Sequence, residues 1–132
     1  MSLARRTGHI LVVEDDQDIR ESVVEVLEDE GYQVSAAADG REALERLHGA
    51  EPRPDLILLD LMMPVMNGLQ FREEQLRRPE LAEIPVVVVT ADVNARAKSE
   101  SLRAVEFVQK PLKVQPLLDL VGVLLERARQ RR

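Results

Sequence analysis

The sequence predicts an open α/β domain in which five parallel strands alternate with five helices. Short apolar runs alternate with segments of helical periodicity five times along the chain. Two of these runs, residues 56–59 and 86–89, are continuously apolar, which is typical of strands that are buried on both faces of a parallel sheet. Right-handed crossovers between such strands predict a doubly wound sheet with helices on both sides.

The predicted strands are short and aliphatic. Aromatic residues make up only 2% of the 132 residues, so Val, Leu, Ile and Ala must form the core. The second strand is weak and rich in Ala, whereas the fourth, which follows Pro85, is the clearest. The predicted strands cover residues 10–13, 34–37, 56–59, 86–89 and 105–108.

Each predicted strand is followed by a segment with helical signals. Gly31 stands where a helix C-terminal glycine is expected, after apolar residues with helical spacing. Asp39 can cap the second helix, and Asn67 precedes the third. The predicted helices cover 18–30, a segment that follows Asp39, a segment that follows Asn67, a polar stretch at about 92–102, and a final amphipathic segment around 117–125.

Composition limits the classes of function. The chain has the size of one domain, and it has no cysteine, which excludes disulfides and a thiolate metal site. Its apolar runs are far shorter than the roughly 20 residues of a membrane span, and no secretory signal opens it, so we expect a cytoplasmic protein without membrane contact. The net charge of -6 disfavours direct nucleic-acid binding.

Polar residues follow four of the predicted strands. Strand one is followed by Glu14, Asp15 and Asp16, strand three by Asp60, and strand five by Lys110, while Thr90 ends strand four. The carboxyl ends of parallel strands meet at one edge of the sheet, which is where open α/β sheets bind ligands. We therefore expect these side chains to form one site.

These residue types suit phosphoryl transfer. Neighbouring carboxylates repel each other, which favours a bound cation, and oxygen ligands alone favour a hard ion such as Mg²⁺. Asp60 can attack phosphorus to form an acyl phosphate. Lys110 can neutralise the charge of the transferred group, and Thr90 can donate a hydrogen bond to it.

The same residues lie in segments that resemble the receiver domain of two-component response regulators. The matching segments occur in the order typical of that family, and the resemblance covers the chain from about residue 8 to 128. They are ILVVEDD at 10–16, DLMMPVMNG at 60–68, VTA at 89–91 and FVQKP at 107–111. The resemblance implies a flavodoxin-like (βα)5 sandwich with strand order 2-1-3-4-5.

The resemblance also implies individual roles at the site. Asp60 is the expected phosphoacceptor, and Thr90 and Lys110 are expected to bind the phosphoryl oxygens. The expected ligands of Mg²⁺ (or Mn²⁺) are Glu14, which acts largely through water, Asp15, Asp60 and the backbone carbonyl of Met62. The chain would catalyse only its own phosphorylation and dephosphorylation.

Other implied features concern the switch. Phe107 stands at the position of the aromatic residue that turns inward when Thr90 moves towards the phosphate. Pro111 stands at the position of a cis proline, and Gly68 at that of a flexible turn. Met62 and Asp92 stand at positions that tune the lifetime of the acyl phosphate.

The implied partners are proteins. We expect a sensor histidine kinase or phosphotransfer protein as donor and a downstream protein as target; a homodimer is left open. The domain is expected to cover residues 8–128. Residues 1–7 would be disordered or derived from expression, and residues 129–132 a basic tail.

The chain departs from the usual family pattern in two ways. Arg103-Ala104 replaces the usual Gly-Ala, and the interval from Thr90 to Lys110 is about two residues short. Both changes affect the polar helix at 92–102, which we expect to be the least rigid element. They leave the output partner open.

Several alternatives stand beside this interpretation. Asp16 is more simply a solvated turn residue, and Phe107 and the methionines between 62 and 66 can be packing residues. A phosphohydrolase with an Asp nucleophile normally has an acid two residues later, where this chain has Met62. The main alternative is an interaction module that keeps the fold and works without phosphorylation.

Overall fold

The computed structural model describes residues 8–50, 52–92, 94, 97 and 102–130. Its helices and strands largely follow the predicted order. They are β1 (His9–Val13), α1 (Gln17–Asp29), β2 (Gln33–Ala37), α2 (Gly40–Leu47), β3 (Leu56–Leu59), α3 (Gly68–Leu76), α4 (Pro79–Ala82), β4 (Val86–Thr90), β5 (Glu106–Gln109) and α5 (Val114–Gln130).

The strands form one parallel sheet. Within the described residues, its order is β2-β1-β3-β4-β5, which confirms the predicted doubly wound topology and strand order. β1 and β3 are neighbours near the centre of the sheet, so the residues that follow them are held side by side. β4 and β5 pair next to them, which brings the ends of four strands to one edge.

The sheet is buried on both faces, as the continuous apolar runs predicted. Along β3, Ile57 and Leu59 pack in one cluster with α2 and α3, while Leu56 and Leu58 pack in the other with α1 and α5. β4 is completely enclosed in the same way. Burial of each such side chain stabilises the folded state by about 2 kcal/mol.

The helix ends follow the predicted signals. The side chain of Asp39 accepts a hydrogen bond from the Glu42 amide at 2.8 Å and caps α2. Asn67 caps α3 in a capping box with Gln70. Gly31 ends α1 with φ 101°, a conformation that favours glycine.

Two details differ from the prediction, and a third prediction falls largely outside the described residues. The short helix α4 follows α3 and was not predicted; it begins at Pro79, whose fixed φ suits the first turn of a helix. β5 begins at Glu106, one residue later than predicted, and Val105 is exposed. The predicted helix at 92–102 falls largely outside the described residues, so its predicted mobility stays a prediction.

The C-terminal helix α5 is longer than the apolar pattern indicated. It carries Arg127 and Arg129 in its last turn, where positive charge complements the helix dipole. Residues 131 and 132 and residues 1–7 lie outside the described part of the chain. Of the helices described, none combines the length and the apolar character that a membrane crossing requires.

Candidate functional site

The turn that follows β1 holds the first carboxylates. Glu14 is buried, and its amide donates to the Ala37 carbonyl at 3.0 Å, so it continues the β1–β2 pairing. Its Oε2 accepts a hydrogen bond from the Asp16 amide at 3.1 Å. Asp16 in turn accepts from the Ile19 amide at 3.0 Å and caps α1, so this exposed residue has a structural role.

Asp60 lies directly beside this turn. Its amide donates to the Val13 carbonyl at 3.0 Å, which places it at the end of β3 next to β1. The residue is only 4% exposed. Oδ1 accepts from the Met62 amide at 3.0 Å, and Oδ2 accepts from Lys110 Nζ at 3.0 Å.

Lys110 joins the two buried carboxylates. Its Nζ lies 2.6 Å from Glu14 Oε1 and 3.0 Å from Asp60 Oδ2. Its amide donates to the Thr90 carbonyl at 2.9 Å, which fixes the end of β5 against β4. The following Lys110–Pro111 bond is cis, as the resemblance implied.

Burial and hydrogen bonds shift the pKa values of Glu14 and Lys110. Burial raises the pKa of Glu14 to about 7, against the opposing hydrogen bond from Lys110; the charge of Asp60 adds a smaller increase. Burial lowers the pKa of Lys110, but its hydrogen bonds to Glu14 and Asp60 outweigh this, and the net shift is upward.

Three carboxylates converge at this point. One oxygen each from Glu14, Asp15 and Asp60 lies within 4.8 Å of the other two. An all-oxygen donor set that already attracts the Lys110 ammonium has the chemistry of a hard-cation site, so these residues fit Mg²⁺. The predicted fourth ligand, the carbonyl of Met62, stays a prediction.

Thr90 and Phe107 lie on the neighbouring strands. Thr90 is fully buried, and its Oγ1 accepts from the Asp92 amide at 3.3 Å. Phe107 lies opposite Val88 in the β4–β5 register and is half-buried against the α2–α3 side of the core. This packing agrees with the simpler interpretation of Phe107, and its switch role stays a prediction.

Close packing, and not the expected flexible turn, explains why residue 68 is a glycine. It is the first residue of α3, and a Cβ atom there would lie 2.6 Å from the Asp60 carbonyl oxygen and 2.7 Å from the Leu61 Cα. The backbone of α3 therefore approaches the end of β3 too closely for any side chain. Close approach, rather than a flexible turn, accounts for this glycine.

Arg20 was not recognised from the sequence. Its guanidinium donates to the Glu14 carbonyl at 2.8 Å and to the Asp15 carbonyl at 3.3 Å. The sequence did contain a signal, because a cation in the first turn of a helix opposes the helix dipole and needs another reason to be there.

An apolar cavity adjoins the site. It has a volume of about 540 Å³ and lies between α1 and the segment that joins β5 to α5. Lys110 lines both the cavity and the carboxylate site. The other lining residues include Ile19, Val26, Pro111, Leu112 and Leu117.

Comparison with known proteins agrees with this geometry. A family model of the response regulator receiver domain matches residues 10–122. The response regulator MprA of Mycolicibacterium vanbaalenii is 40% identical over 89% of this chain and 50% of its own length. The phosphate regulon transcriptional regulatory protein PhoB of Escherichia coli is 39% identical over 95% of this chain and 53% of its own. The chain thus spans about half the length of these relatives.

Solved structures give the same result. The receiver domain of a signal transduction histidine kinase from Syntrophus aciditrophicus has a TM-score of 0.81 at 36% identity, over 90% of both chains. The response regulator TrrA of Thermotoga maritima, solved with Mg²⁺–BeF, has a TM-score of 0.77 at 32% identity, over 89% of this chain and 98% of its own. From its sequence, its strand order and this site, the chain belongs to the response regulator receiver domain family.

Proposed function

We propose that this receiver domain is a phosphoacceptor switch in which Asp60 receives a phosphoryl group from a phosphohistidine. The observation that carries the proposal is the convergence on Asp60: a buried carboxylate, a lysine ammonium at 3.0 Å and two further carboxylates within 4.8 Å. Residues 8–128 would form the domain, and residues 129–132, the first two of which continue α5, a basic tail.

Glu14, Asp15 and Asp60 would hold Mg²⁺ or Mn²⁺, with the Met62 carbonyl as a further ligand. The ion supplies positive charge that offsets the charge of the phosphoryl oxygens. The match to TrrA, which was solved with Mg²⁺–BeF, supports this ion.

The chemical step is a displacement at phosphorus. A carboxylate oxygen of Asp60 forms the new O–P bond while the P–N bond of the phosphohistidine breaks, and the histidine leaves with the electron pair. The Lys110 ammonium would then contact the negatively charged oxygens of the transferred group. The Thr90 hydroxyl would donate a hydrogen bond to one of these oxygens. Water later hydrolyses the acyl phosphate and regenerates Asp60, at a rate that the neighbouring Met62 and Asp92 would tune.

The output would be a shift between two conformations. The acyl phosphate favours the one in which Thr90 moves towards it and Phe107 turns inward, by its differential interaction with the two. A downstream protein, or a second copy of the chain, would recognise the surface that includes β5 and α5.

The donor is proposed to be a protein, either a sensor histidine kinase or a phosphotransfer protein. The apolar cavity of about 540 Å³ beside Lys110 supports this choice, because it offers apolar contact area next to the acceptor.

Intact-mass measurement with acetyl phosphate tests the proposal. We expect wild type to gain one phosphoryl group with Mg²⁺ and none with EDTA. Asp60→Asn should gain none under either condition. Asp29→Asn, which changes an exposed carboxylate at the far end of α1, should behave as wild type.

An unmodified wild type, under conditions that phosphorylate another receiver, would contradict the proposal. The function would then be that of an interaction module that works without phosphorylation. Equal modification of wild type and Asp60→Asn would instead place the acceptor elsewhere.

A further inference from the structure

The side chain of Asp15 is the least restrained of the three converging carboxylates. Glu14 and Asp60 are each held by Lys110 and by a backbone amide. Asp15 is exposed, and within the described part of the chain its carboxylate takes part in no hydrogen bond or ion pair. The direction of its side chain therefore depends on how firmly the backbone of the turn is held.

Arg20 holds that backbone. Its side chain donates to the carbonyls of both Glu14 and Asp15, at 2.8 and 3.3 Å. The sheet pairing of β1 ends at Glu14, whose amide still bonds to Ala37. Within the described residues, Arg20 is the hydrogen-bond donor to the next two carbonyls, which water would otherwise have to satisfy.

A positive charge at position 20 is otherwise unfavourable. Arg20 lies in the first turn of α1, where the helix dipole disfavours positive charge. Its guanidinium contacts the backbone of two residues whose carboxylates would bind a divalent cation, and like charges repel. If Arg20 acted only through its charge, its removal would strengthen metal binding.

We propose that Arg20 is a positioning residue for the divalent-cation site and that it aims the Asp15 carboxylate by fixing the Glu14–Asp15 backbone. The proposal rests on the metal site of the proposed function. It predicts that loss of Arg20 weakens metal binding even though it removes a repelling charge.

Binding of Mn²⁺ tests this directly, because electron paramagnetic resonance measures free Mn²⁺ without any phosphoryl donor. We expect Arg20→Gln to raise the Kd of Mn²⁺ about tenfold, at the lower end of the range for groups that orient metal ligands. Arg20→Lys, which keeps the charge and a flexible ammonium group but loses the rigid guanidinium, should recover part of this loss. Competition with Mg²⁺ should give the same order of affinities.

Lys113→Gln is the matched control. Lys113 is an exposed cation three residues after Lys110, and its substitution also removes one positive charge. We expect it to bind Mn²⁺ as tightly as wild type or more tightly. Thermal unfolding of each variant verifies that the measured protein is folded.

Binding by Arg20→Gln that equals or exceeds that of wild type would overturn the proposal, as would a wild type that binds no Mn²⁺. A wild type that binds Mn²⁺ but is not phosphorylated by acetyl phosphate would instead contradict the proposed function. In that case the comparison of Arg20 variants would still decide the positioning role.

Discussion

Among single residues, Glu14 should make the stability of the protein depend on pH. Its pKa rises from the ordinary 4.5 to about 7 chiefly because the side chain is buried. In the metal-free protein the folded state thus keeps a proton that the unfolded chain releases between these two values. The contribution to the free energy of unfolding is present below pH 4.5 and is lost as the pH rises towards 7.

We therefore expect metal-free wild type to lose up to about 3 kcal/mol of stability from this group between pH 4.5 and 8. Glu14→Gln should lack this loss, because an amide does not titrate. Urea denaturation in EDTA across this range measures the difference. Parallel pH profiles for the two proteins would show that Glu14 titrates alike when folded and unfolded.

Arg103 shows how the missing family glycine is accommodated. It keeps a left-handed conformation, with φ 59°, although it has a side chain. Such a conformation costs an L-residue about 1–2 kcal/mol. Its charge also lowers the pKa of Arg72, after the larger effect of burial on that group.

We expect Arg103→Gly to raise the free energy of unfolding by up to about 1 kcal/mol, since the relieved strain exceeds the entropy cost of glycine. Arg46→Gly, in the last turn of α2, is the control and should lower the free energy of unfolding by up to about 1 kcal/mol. Chemical denaturation compares the two. A loss of stability in both would mean that the Arg103 conformation is not strained.

At the scale of elements, α3 contains a buried polar pair. Arg72 is 4% exposed and donates to the carbonyls of Leu102 and Arg103, at 2.9 and 3.2 Å, and to Gln75 Oε1 at 2.7 Å. Gln75 is fully buried and donates to the carbonyls of Leu81 and Ile84. The pair thus ties α3 to the segments that lead into β4 and β5.

We expect Arg72→Leu and Gln75→Leu each to lower the free energy of unfolding by about 3 kcal/mol, because each leaves buried polar partners unsatisfied. The double variant should cost clearly less than the sum, because it removes the side chain that each single change leaves unpaired. A double-mutant cycle in urea measures this coupling. Additive losses would show that the two side chains act independently.

At the scale of the whole molecule, the fold could be predicted from local patterns in the amino-acid sequence. Continuous apolar runs at 56–59 and 86–89 require burial on both faces, and this requirement led to the parallel sheet and to one edge that holds Asp60, Thr90 and Lys110. The sequence also contained the cap residues Asp39 and Asn67. These signals are local, so the sequence alone reveals them.

The remaining features depend on tertiary contacts. Nothing local distinguishes Arg72 and Gln75 from the exposed polar residues of an amphipathic helix, because only the carbonyls supplied by other segments make their burial acceptable. The left-handed conformation of Arg103 and the close approach at Gly68 likewise arise from how the chain is packed. The proposed role of Arg20 could be inferred only from the position of the Asp15 carbonyl, which the sequence does not show.

Binding of a cation should stabilise the entire domain. A ligand that binds only the folded state at 100 times its Kd adds about 2.7 kcal/mol to the free energy of unfolding. We expect Mg²⁺ to raise the Tm of wild type and of Asp29→Asn, and to have little effect on Asp15→Asn. Scanning calorimetry with Mg²⁺ or EDTA measures this, and an equal Mg²⁺ effect on all three proteins would place the ion elsewhere.

The central claim, that Asp60 is the phosphoacceptor, is tested most directly by chemical trapping. Borohydride reduces the acyl phosphate of an aspartate to homoserine, which peptide mass spectrometry locates. After treatment with acetyl phosphate and Mg²⁺, we predict homoserine at position 60. Homoserine at another position, or none in protein that carries a phosphoryl group, would contradict the claim.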